Sequence, residues 1–504
     1  MAAISIQSYA HKTFSVKPGS FRSSVSGNHL SCRISVCCRV NYDLVKKPFW
    51  SVTEIAEAVN GKIVKWGPSG TISTDSRNLK PGQWFFTIVG KNFDAHDFVN
   101  PELRSKGCIG VIGNRICEEW DMGFVQVEEN TLIALEKMAM YARKRFHGRV
   151  VGVTGSVGKT TTRAMIAHAL ESLGSIHQTQ GNQNNEIGVG LSLIGLPQNV
   201  KVSVLELGMS EKGEILKLTR MCQPSLRIIL NVGPSHLVNF GSLEEVARAK
   251  GEILMEAKPG DVCVLNADDP RVMNLPVPEG VEKVFFGQRI GCDVRLVSAE
   301  STDDGNGVRV ILERSTEVVE FVIPTPGLHL ALNACAAAAV AVRLGVSLSQ
   351  VGVSLSRFVP VPMRLELEMA PNGIKIINDV YNANPTSTRA AIDLLKTIDC
   401  KGKRVAILGD MLELGPAEIE AHRDILKLCF DSHIDLVALV GKRLSTVAED
   451  LDLLRKRNAI CTLYPEALAL PITEKLASND VVLVKGSRGM RMEKVVGAIK
   501  EMSI

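Results

Sequence analysis

Three kinds of feature are missing from this 504-residue sequence, and each absence excludes a class of protein. No uninterrupted apolar run is long enough to cross a bilayer, although 45% of the residues are hydrophobic, so we predict no transmembrane segment and no membrane partner. The 12 cysteines form no Cys-x-x-Cys pair, which argues against a disulfide framework or a zinc site and favours free thiols in a reducing compartment. The C-terminal part contains no Gly-x-Gly-x-x-Gly motif, so nothing there predicts a dinucleotide.

Acidic residues are also missing from the N-terminal segment, since the first one in the sequence is Asp43. The preceding 42 residues are rich in serine, show no apolar periodicity and carry five basic residues, namely Lys12, Lys17, Arg22, Arg33 and Arg39. This composition is typical of an organelle transit peptide, and the Met-Ala-Ala start with residues 36–39 favours a chloroplast. We therefore predict that residues 1–45 are a disordered chloroplast transit peptide and that the mature chain lies in the plastid stroma. A disordered cytosolic tail is the alternative.

The positive net charge of +4 belongs to that leader. Without its five basic residues, 53 Lys and Arg residues remain against 54 Asp and Glu residues, so the mature chain is close to neutral. The apparent basicity is a targeting feature and gives no argument for nucleic-acid binding. The remaining composition is that of an ordinary soluble protein, for which we expect a monomer.

The chain is too long for one hydrophobic core, and its length indicates about three domains. We predict an α/β fold in which residues 46–148 form a small N-terminal α/β domain. In residues 149–358, buried-strand patterns alternate with helical ones, which predicts a central domain with a mostly parallel sheet. Pro360 and Pro362 mark a linker into residues 359–504, where apolar strands that end in polar turns predict a Rossmann-like C-terminal domain.

The segment from Arg149 to Thr162 reads as a buried strand, a glycine loop and a helix start. Glycines allow a tight turn with N–H groups pointing inward, and a helix N-terminus favours an anion. The pattern predicts a phosphate-binding loop, in which Lys159 reaches the terminal phosphates and Thr160 holds Mg²⁺. The residues that we assign to the nucleotide are Thr154, Gly155, Ser156, Val157, Gly158, Lys159, Thr160 and Thr161.

Three further residues are candidates for the reaction itself, because a phosphate loop indicates only that a nucleotide binds. Glu206 ends a strand, where its carboxylate faces the phosphates and can complete a Mg²⁺ shell with Thr160; a solvated strand end is the alternative. His236 lies on a loop after another strand and can ligate a metal through a neutral nitrogen. Lys250 by itself reads as a surface charge, since an ammonium group repels a cation.

A series of motifs carries a resemblance to a known family. They include Gly181-Asn-Gln-Asn-Asn-Glu-Ile-Gly188, Ala249-Lys-Gly-Glu-Ile253, Asn266-Ala-Asp-Asp-Pro270, Tyr381-Asn-Ala-Asn-Pro385, Gly409-Asp-Met-Leu-Glu-Leu-Gly415 and Lys485-Gly-Ser-Arg-Gly489. With a phosphate loop in which Val153 replaces the first glycine of a strict Walker A motif, the chain resembles the Mur ligases over roughly residues 49–500. The motifs at Tyr381 and Gly409 resemble those of the D-alanyl-D-alanine-adding (MurF) type.

The resemblance implies ATP-dependent formation of an amide bond through an acyl phosphate, with ATP and two Mg²⁺ ions. The substrates that it implies are UDP-N-acetylmuramoyl-tripeptide and D-alanyl-D-alanine, joined in peptidoglycan precursor synthesis. In the family, the residue that matches Lys250 is carbamylated, and the resulting anion binds a second Mg²⁺ beside His236. We therefore expect Lys159, Glu206, His236 and Lys250 to be catalytic, and Thr160 to hold metal together with the last three.

Other nucleotide contacts are expected from the resemblance alone. Asn266 and Asn333 match adenine contacts. Arg364 and Asp379, in the C-terminal domain, match contacts to the ribose or the phosphates. His422 also matches a family position, but its sequence context fits a surface helix equally well.

The resemblance also assigns the substrate to residues 46–148 and to a central loop. The uridine diphosphate end is expected near Ser76 and Arg77, and Asn184 with Asn185 is expected to face the reacting end. From residue types alone, Asp75 and Arg77 could equally form a local ion pair in a solvated turn.

Two other functions remain open from the sequence. The chain could be another Mur or folylpolyglutamate-type amide ligase, against which the Tyr381 to Pro385 stretch argues. It could also be a nucleotide-binding plastid protein that works only as an interaction partner. Retention of the metal and phosphate residues argues against that interpretation; they are Lys159, Thr160, Glu206, His236 and Lys250.

Overall fold

The computed structural model describes residues 48–90, 93–116, 119–235, 237–451 and 459–502. All of them lie within one unit of the chain, Val45–Ile504. The predicted transit peptide at residues 1–45 and the predicted metal ligand His236 therefore lie outside the described residues. Within the described ranges, no helix combines the length and the apolar character needed to cross a membrane.

Across the described ranges, the strands form three sheets that follow one another along the chain. The strands are β1 Lys62–Lys65, β2 Thr71–Ser73, β3 Gln83–Phe86, β4 Cys108–Gly113, β5 Gly123–Gln126, β6 Arg149–Thr154, β7 Ile176–Gln178, β8 Val202–Glu206, β9 Leu226–Ile229, β10 Val262–Asn266, β11 Glu282–Gly287, β12 Val294–Ser301, β13 Val308–Arg314, β14 Glu317–Ile323, β15 Glu366–Met369, β16 Lys375–Asp379, β17 Arg404–Gly409, β18 Leu436–Val440, β19 Ile460–Thr462 and β20 Val481–Lys485. The α-helices are α1 Val52–Val59, α2 Pro101–Ser105, α3 Thr131–Arg145, α4 Lys159–Ala169, α5 Glu186–Ile194, α6 Glu214–Cys222, α7 Leu237–Phe240, α8 Leu243–Met255, α9 Pro270–Met273, α10 His329–Arg343, α11 Leu348–Leu355, α12 Pro385–Thr397, α13 Glu418–Asp431, α14 Lys442–Asp450, α15 Pro465–Thr473 and α16 Glu493–Glu501.

The N-terminal sheet is built around strand β3, whose Trp84, Phe85 and Phe86 side chains are fully buried. Its strand order is β1-β5-β4-β3-β2, with β1 antiparallel to β5 and the other neighbours parallel. Trp84 and Phe86 belong to one hydrophobic cluster and Phe85 to another, because successive side chains point to opposite faces of a sheet. Both faces of this sheet are therefore covered.

The central sheet has the strand order β14-β13-β12-β11-β10-β9-β6-β8-β7. Neighbours from β12 to β7 are parallel, whereas β13 and β14 add an antiparallel edge. Strand β6 lies between β9 and β8, and Val150, Val151 and Val153 are fully buried, as expected for a parallel strand covered on both faces. The phosphate loop thus follows a strand in the interior of the sheet.

Helix α10 packs against α4, the helix that follows the phosphate loop. The alanines of α10 are fully buried, and such small side chains allow two helices to approach closely. The helix ends at Arg343, and Gly345 just beyond it has φ +94°, so that the Val346 N–H donates to the Ala341 carbonyl at 3.0 Å. This packing brings Asn333 of α10 to the loop.

The C-terminal sheet has the strand order β15-β16-β20-β17-β18-β19, and only β15 is antiparallel to its neighbour. Helix α12 begins at Pro385 after a capping box formed by Asn384 and Ser387. The three sheets together confirm the predicted α/β fold of mostly parallel sheets. The strands of each sheet fall inside one predicted range, whereas the domain limits at residues 46, 149 and 359 stay a prediction.

Candidate active site

The phosphate loop joins β6 to α4 in the order that the sequence predicts, and specific contacts hold it. Gly158 has φ +84°, and a Cβ atom there would lie 2.7 Å from Asn333 Oδ1, so glycine is required. Lys159 Nζ donates to the Gly155 carbonyl at 2.8 Å, which keeps the ammonium group at the loop. Gly158, the N-cap residue of α4, makes no side-chain capping hydrogen bond, so the first N–H groups of the helix remain for an anion.

The three threonines that we assigned to the nucleotide have different surroundings. Thr154 is fully buried, and its Oγ1 donates to the Leu207 carbonyl at 3.0 Å, which is a structural bond to the end of β8. Thr160 lies in the first turn of α4, where its buried Oγ1 accepts a hydrogen bond from Arg364 Nη2 at 3.0 Å. Thr161 follows it in the same turn and is half-buried.

Asn231, two residues after the end of β9, is a residue of this site that none of the motifs above predicts. Its Oδ1 accepts from the N–H groups of Ser156 at 3.1 Å and of Val157 at 3.0 Å, and its Nδ2 donates to the Val157 carbonyl at 3.1 Å. Its position is the signal that could have identified it. A polar residue that ends a buried strand beside the loop-bearing strand lies at the edge where α/β proteins bind ligands.

Glu206 lies at the end of β8 and is 1% exposed, so the alternative of a solvated strand end is wrong. Its Oε1 accepts from Asn184 Nδ2 at 2.8 Å. Its Oε2 lies 3.8 Å from Arg163 Nε and receives no hydrogen bond from the described residues. A buried carboxylate oxygen that still has acceptor capacity is suited to bind a metal ion.

Lys250 on α8 is 2% exposed, so the interpretation as a surface charge is wrong. Burial lowers the pKa of Lys250 well below its ordinary value, and the positive charge of Lys159 lowers that pKa further. Burial also lowers the pKa of Lys159, although the nearby Glu206 carboxylate acts to raise that pKa. Two lysines therefore share one buried region, where at least one of them is destabilised as a cation.

Arg364 reaches the phosphate loop from the C-terminal part of the chain. In addition to its bond to Thr160, its guanidinium group lies over the ring of Tyr381, 4.0 Å from the centroid. The neighbours Met363 (φ +61°) and Leu365 (φ +46°) both have left-handed backbone, a conformation that costs energy for residues other than glycine. This strained segment places the guanidinium group beside the predicted Mg²⁺ ligand. The motif that contains Tyr381 was recognised, but no role for its ring was predicted.

Asp379 at the end of β16 pairs with Lys485 at the end of β20. The Lys485 Nζ to Asp379 Oδ2 distance is 2.6 Å, and Nζ also donates to the Asn382 carbonyl at 2.9 Å. The other carboxylate oxygen of Asp379 accepts from the Leu365 N–H at 3.3 Å. Asp379 thus holds the segment of Arg364 in place, and Lys485 adds a buried charge that we had not assigned to the site.

Two predicted contact residues are engaged in bonds within the protein. Asn266 is buried at the end of β10, where its Nδ2 donates to the Leu230 carbonyl at 2.7 Å and its Oδ1 accepts from the Asp268 N–H at 2.9 Å. Asn185 is the N-cap of α5, and its Oδ1 accepts from the Gly188 N–H at 2.9 Å. These bonds account for both side chains structurally, and the predicted adenine and substrate roles stay predictions.

Ser76 and Arg77 line a cavity of about 560 Å³ that is separate from the phosphate loop. Arg77 pairs with Asp75 at 2.9 Å, as the sequence allowed, and Lys106 Nζ donates to the Ser76 carbonyl at 3.1 Å. Ile187 of α5 also lines the cavity. Since Asn184, three residues earlier, bonds Glu206, one short segment connects the cavity with the carboxylate site.

His422 on α13 is fully buried, so the surface-helix alternative is wrong. Its Nδ1 donates to the Glu418 carbonyl at 2.5 Å and its Nε2 accepts from the Met411 N–H at 2.8 Å. Burial lowers the pKa of His422. The neutral ring therefore supports the loop of residues 409–415 rather than carrying a charge.

The structure thus brings the phosphate loop, Glu206, Lys250 and Arg364 together. Over the ranges that the structure describes, no three His, Cys, Asp or Glu residues cluster in a way that could hold a metal. The predicted ligand set is of a different kind, since it consists of one carboxylate with a hydroxyl group, a lysine and His236, which lies outside those ranges. The fold and the site define a P-loop nucleotide-binding protein in which the central sheet carries the loop and Arg364, just before the C-terminal sheet, contacts it.

Family models of known proteins match both of these sheets. The Mur ligase middle domain matches residues 153–341, and the Mur ligase, glutamate ligase domain matches residues 363–488. The UDP-N-acetylmuramoyl-tripeptide–D-alanyl-D-alanine ligase of Bacillus subtilis (strain 168) is 34% identical over 452 residues, which are 88% of this chain and 97% of that protein. The chain belongs to the Mur ligase family, within its MurF type.

Other relatives carry the same or a corresponding name. The ligase of that name from Escherichia coli (strain K12) is 32% identical over 90% of this chain and 98% of its own length. A crystal structure of MurF from Acinetobacter baumannii superimposes with a TM-score of 0.79 at 30% identity, over 91% of this chain and all of that chain. MurF from Thermotoga maritima in complex with ADP gives a TM-score of 0.73 at 28% identity, over 86% of this chain and 97% of that chain.

Proposed function

We propose that this chain is an ATP-dependent ligase that joins D-alanyl-D-alanine to UDP-N-acetylmuramoyl-tripeptide, a step in the synthesis of peptidoglycan precursors. The observation that carries the proposal is the contact of Arg364 with Thr160, because it joins the C-terminal sheet to the phosphate loop in one site with Glu206 and Lys250. The relatives support the choice of substrates, since they carry that name and match the chain along nearly their whole length.

In the first step, the terminal carboxylate of the tripeptide attacks the γ-phosphorus of ATP. The bond from this phosphorus to the bridging oxygen breaks, ADP leaves and an acyl phosphate forms. Because both reactants are anionic, positive charge must stand close to the transferred phosphoryl group. The ammonium group of Lys159 at the loop and the guanidinium group of Arg364 at the start of α4 supply it.

Mg²⁺ fits the residues of this site. The buried Glu206 Oε2, which lacks a hydrogen bond from the described residues, suits a hard cation, and so does the hydroxyl oxygen of Thr160. Together with His236 and a carbamylated Lys250, these groups are the ligands that we propose for two ions. Bound Mg²⁺ would neutralise phosphate charge.

Carbamylation of Lys250 is consistent with the charges around it. A buried ammonium group beside Lys159 is unfavourable, whereas a neutral amine can react with CO₂ to form an N–C bond and release one proton. The carbamate is an anion, so it attracts both Lys159 and a metal ion. The modification therefore converts an unfavourable charge into a useful one.

In the second step, the free amine of D-alanyl-D-alanine attacks the acyl carbon. The tetrahedral intermediate collapses, the carbon–oxygen bond to phosphate breaks, and the amine loses a proton as the amide forms. An acyl phosphate hydrolyses in water, so water must be kept from the site. We propose that the Arg364 segment, held by Tyr381 and by Asp379, covers the loop from the side of the C-terminal sheet.

The cavity at Ser76 and Arg77 is the place that we propose for the uridine diphosphate end of the substrate. Its size suits a nucleotide-like ligand, and the basic side chains of Arg77 and Lys106 suit a diphosphate. Asn184 then lies on the segment that leads from this cavity to Glu206. A substrate bound in this way has its peptide directed to the phosphate loop.

The plastid stroma is the location that we propose, on the strength of the acid-free, serine-rich leader at residues 1–45. We also propose that the enzyme works as a monomer without nucleic acid or membrane partners. A fluorescent fusion of residues 1–45 is expected to accumulate in plastids. Cytosolic fluorescence would support the alternative of a disordered tail.

The two-substrate assay tests the proposed function. The purified chain, supplied with Mg²⁺, ATP and bicarbonate, is expected to release phosphate only when UDP-N-acetylmuramoyl-tripeptide and D-alanyl-D-alanine are both present, with the amide product seen by mass spectrometry. Product from a different acid and amine in a substrate panel would favour another ligase of the superfamily. ADP binding without any product would favour a non-catalytic partner.

Tyr381 gives a prediction about nucleotide affinity. Replacement by leucine removes the aromatic face under Arg364 and is expected to raise the KM for ATP by about 3- to 30-fold, the equivalent of one cation–π contact. Phenylalanine keeps that face and is expected to leave the KM within about twofold of the original. Equal KM values for the two variants would show that the ring does not orient Arg364.

A further inference from the structure

The side chain of Asn231 bonds the first half of the phosphate loop at three points. The two N–H groups of Ser156 and Val157 converge on Asn231 Oδ1, and the amide nitrogen returns a bond to the Val157 carbonyl. Only a carboxamide offers an acceptor and a donor in this arrangement without adding charge. The Ser156 N–H also lies 3.1 Å from the Asn231 backbone carbonyl, so backbone pairing with the chain after β9 reaches Ser156. The side chain of Asn231 extends that pairing by one residue, to Val157.

A second set of bonds fastens the same part of the loop. Ser156 Oγ donates to the Gly233 carbonyl at 3.0 Å and accepts from the Gly233 N–H at 2.9 Å, and Ser235 Oγ donates to it at 3.1 Å. The chain from Asn231 to Ser235 thus lies bonded along residues 156–157. Ser156 and Val157 are therefore fastened on the side of the loop that precedes the free N-terminus of α4.

These bonds divide the N–H groups of the loop into two sets. Those of Ser156 and Val157, two residues that we assigned to the nucleotide, donate to Asn231 and are not left for a phosphate oxygen. Those at the start of α4, from Gly158 onward, have no side-chain cap and remain for the anion. Binding is stronger when a loop is ordered before the ligand arrives, because the ligand then does not bear the entropy cost of ordering it.

We propose that Asn231 is a positioning residue, which keeps the first half of the phosphate loop in the conformation that presents the second half to the nucleotide phosphates. The proposal rests on the proposed function only in that the loop binds ATP. It assigns Asn231 no contact with the nucleotide. It therefore concerns affinity for the phosphates and not the choice of the acid or the amine.

The test compares ADP with adenosine, both measured by competition against a fluorescent ADP analogue. Asn231→Ala is expected to weaken ADP binding by about tenfold, since the N–H and the carbonyl of Val157 both lose their partner, whereas the Ser156 N–H keeps the backbone carbonyl of residue 231. Adenosine affinity is expected to stay within about twofold, because adenosine makes no phosphate contact. A general structural defect would instead lower both affinities together.

Asn372 offers a matched control. Its Nδ2 donates to the Ile499 carbonyl at 2.8 Å and its Oδ1 accepts from the Ile374 N–H at 3.2 Å, so Asn372→Ala removes the same kind of bonds away from the loop. Both affinities of this variant are expected to be unchanged. Binding is measured without turnover, so the comparison stays valid even if the chain does not form an amide from the proposed substrates.

A second variant covers the case in which Asn231→Ala does not fold. Ser156→Ala removes the hydroxyl bonds to residues 233 and 235 and is expected to weaken ADP binding about threefold with adenosine affinity unchanged. Unchanged ADP affinity in the variants that fold would overturn the proposal. Tighter ADP binding by Asn231→Ala would also overturn it, because it would mean that Asn231 competes with phosphate for the two N–H groups.

Discussion

Lys159→Met is expected to lower the rate of amide formation by about 10²- to 10³-fold, the cost of removing one charged group aimed at a reacting oxyanion. Methionine has nearly the length and volume of lysine but cannot carry charge or donate to the Gly155 carbonyl. Arg364 contacts the loop at Thr160, so its guanidinium group is held at a different residue and does not replace the ammonium group at Gly155. The anionic carboxylate of the substrate would then approach a γ-phosphate that has lost one of its positively charged partners.

The measurement is single-turnover formation of the amide with both substrates and ATP at saturation. Lys201→Met, which changes an exposed lysine just before β8, is the control and should keep the original rate. Melting temperatures of the two variants separate a chemical loss from unfolding. A Lys159→Met enzyme within about tenfold of the original would contradict the role of this residue in phosphoryl transfer.

The arrangement around Lys159 could be predicted because it is local. A β-branched strand, two glycines and a helix start follow each other within the segment from Arg149 to Thr162, and each step has its own pattern in the sequence. The position of Glu206 was predictable for the same reason, since a polar residue after an apolar strand lies at the sheet edge. The fold class followed from the repetition of such units.

The burial of Lys250 could have been predicted from helical periodicity, but lysine is usually exposed and was therefore interpreted as a surface residue. It follows Val246 by four residues and precedes Ile253 by three, and both are fully buried, so the helical period puts Lys250 on the covered face of α8. A lysine on that face must be modified, paired or functional. Only the family resemblance directed attention to it.

Contacts between distant parts of the chain could not be predicted. The bond from Arg364 to Thr160 joins residues 204 positions apart, and it depends on how the C-terminal sheet approaches the central one. No local pattern encodes that approach. The bonds of Asn231 to the loop likewise require that β9 pairs with β6, since Asn231 and Ser156 are 75 residues apart in the chain.

Lys250→Ala is expected to reduce amide formation by at least about 10²-fold, and a small carboxylic acid such as acetate is expected to restore part of it. The reason is that the proposed working form of Lys250 is an anion, the carbamate. Alanine leaves a buried space beside Lys159, and a short carboxylate can enter it and supply the missing charge. Methylammonium, which copies the unmodified lysine, is expected to have no effect.

The pH dependence follows from the same chemistry. Carbamate formation needs the neutral amine and releases a proton, so it is favoured as pH rises. Burial and Lys159 lower the pKa of Lys250, so the neutral amine of this residue is populated at lower pH than that of an ordinary lysine. Activity of the original enzyme is therefore expected to fall on acidification and after removal of CO₂ and bicarbonate.

The comparison of the rescue agents decides between the two charge states of Lys250. Lys250→Arg keeps a positive charge that cannot be carbamylated in the same way, and it is expected to be as inactive as Lys250→Ala and to gain nothing from acetate, because the space is filled. Rescue of Lys250→Ala by methylammonium, or full activity of Lys250→Arg, would mean that Lys250 acts as a cation toward ATP. In that case Glu206 Oε2 would be left as the anionic oxygen of the site, with one metal ion instead of two.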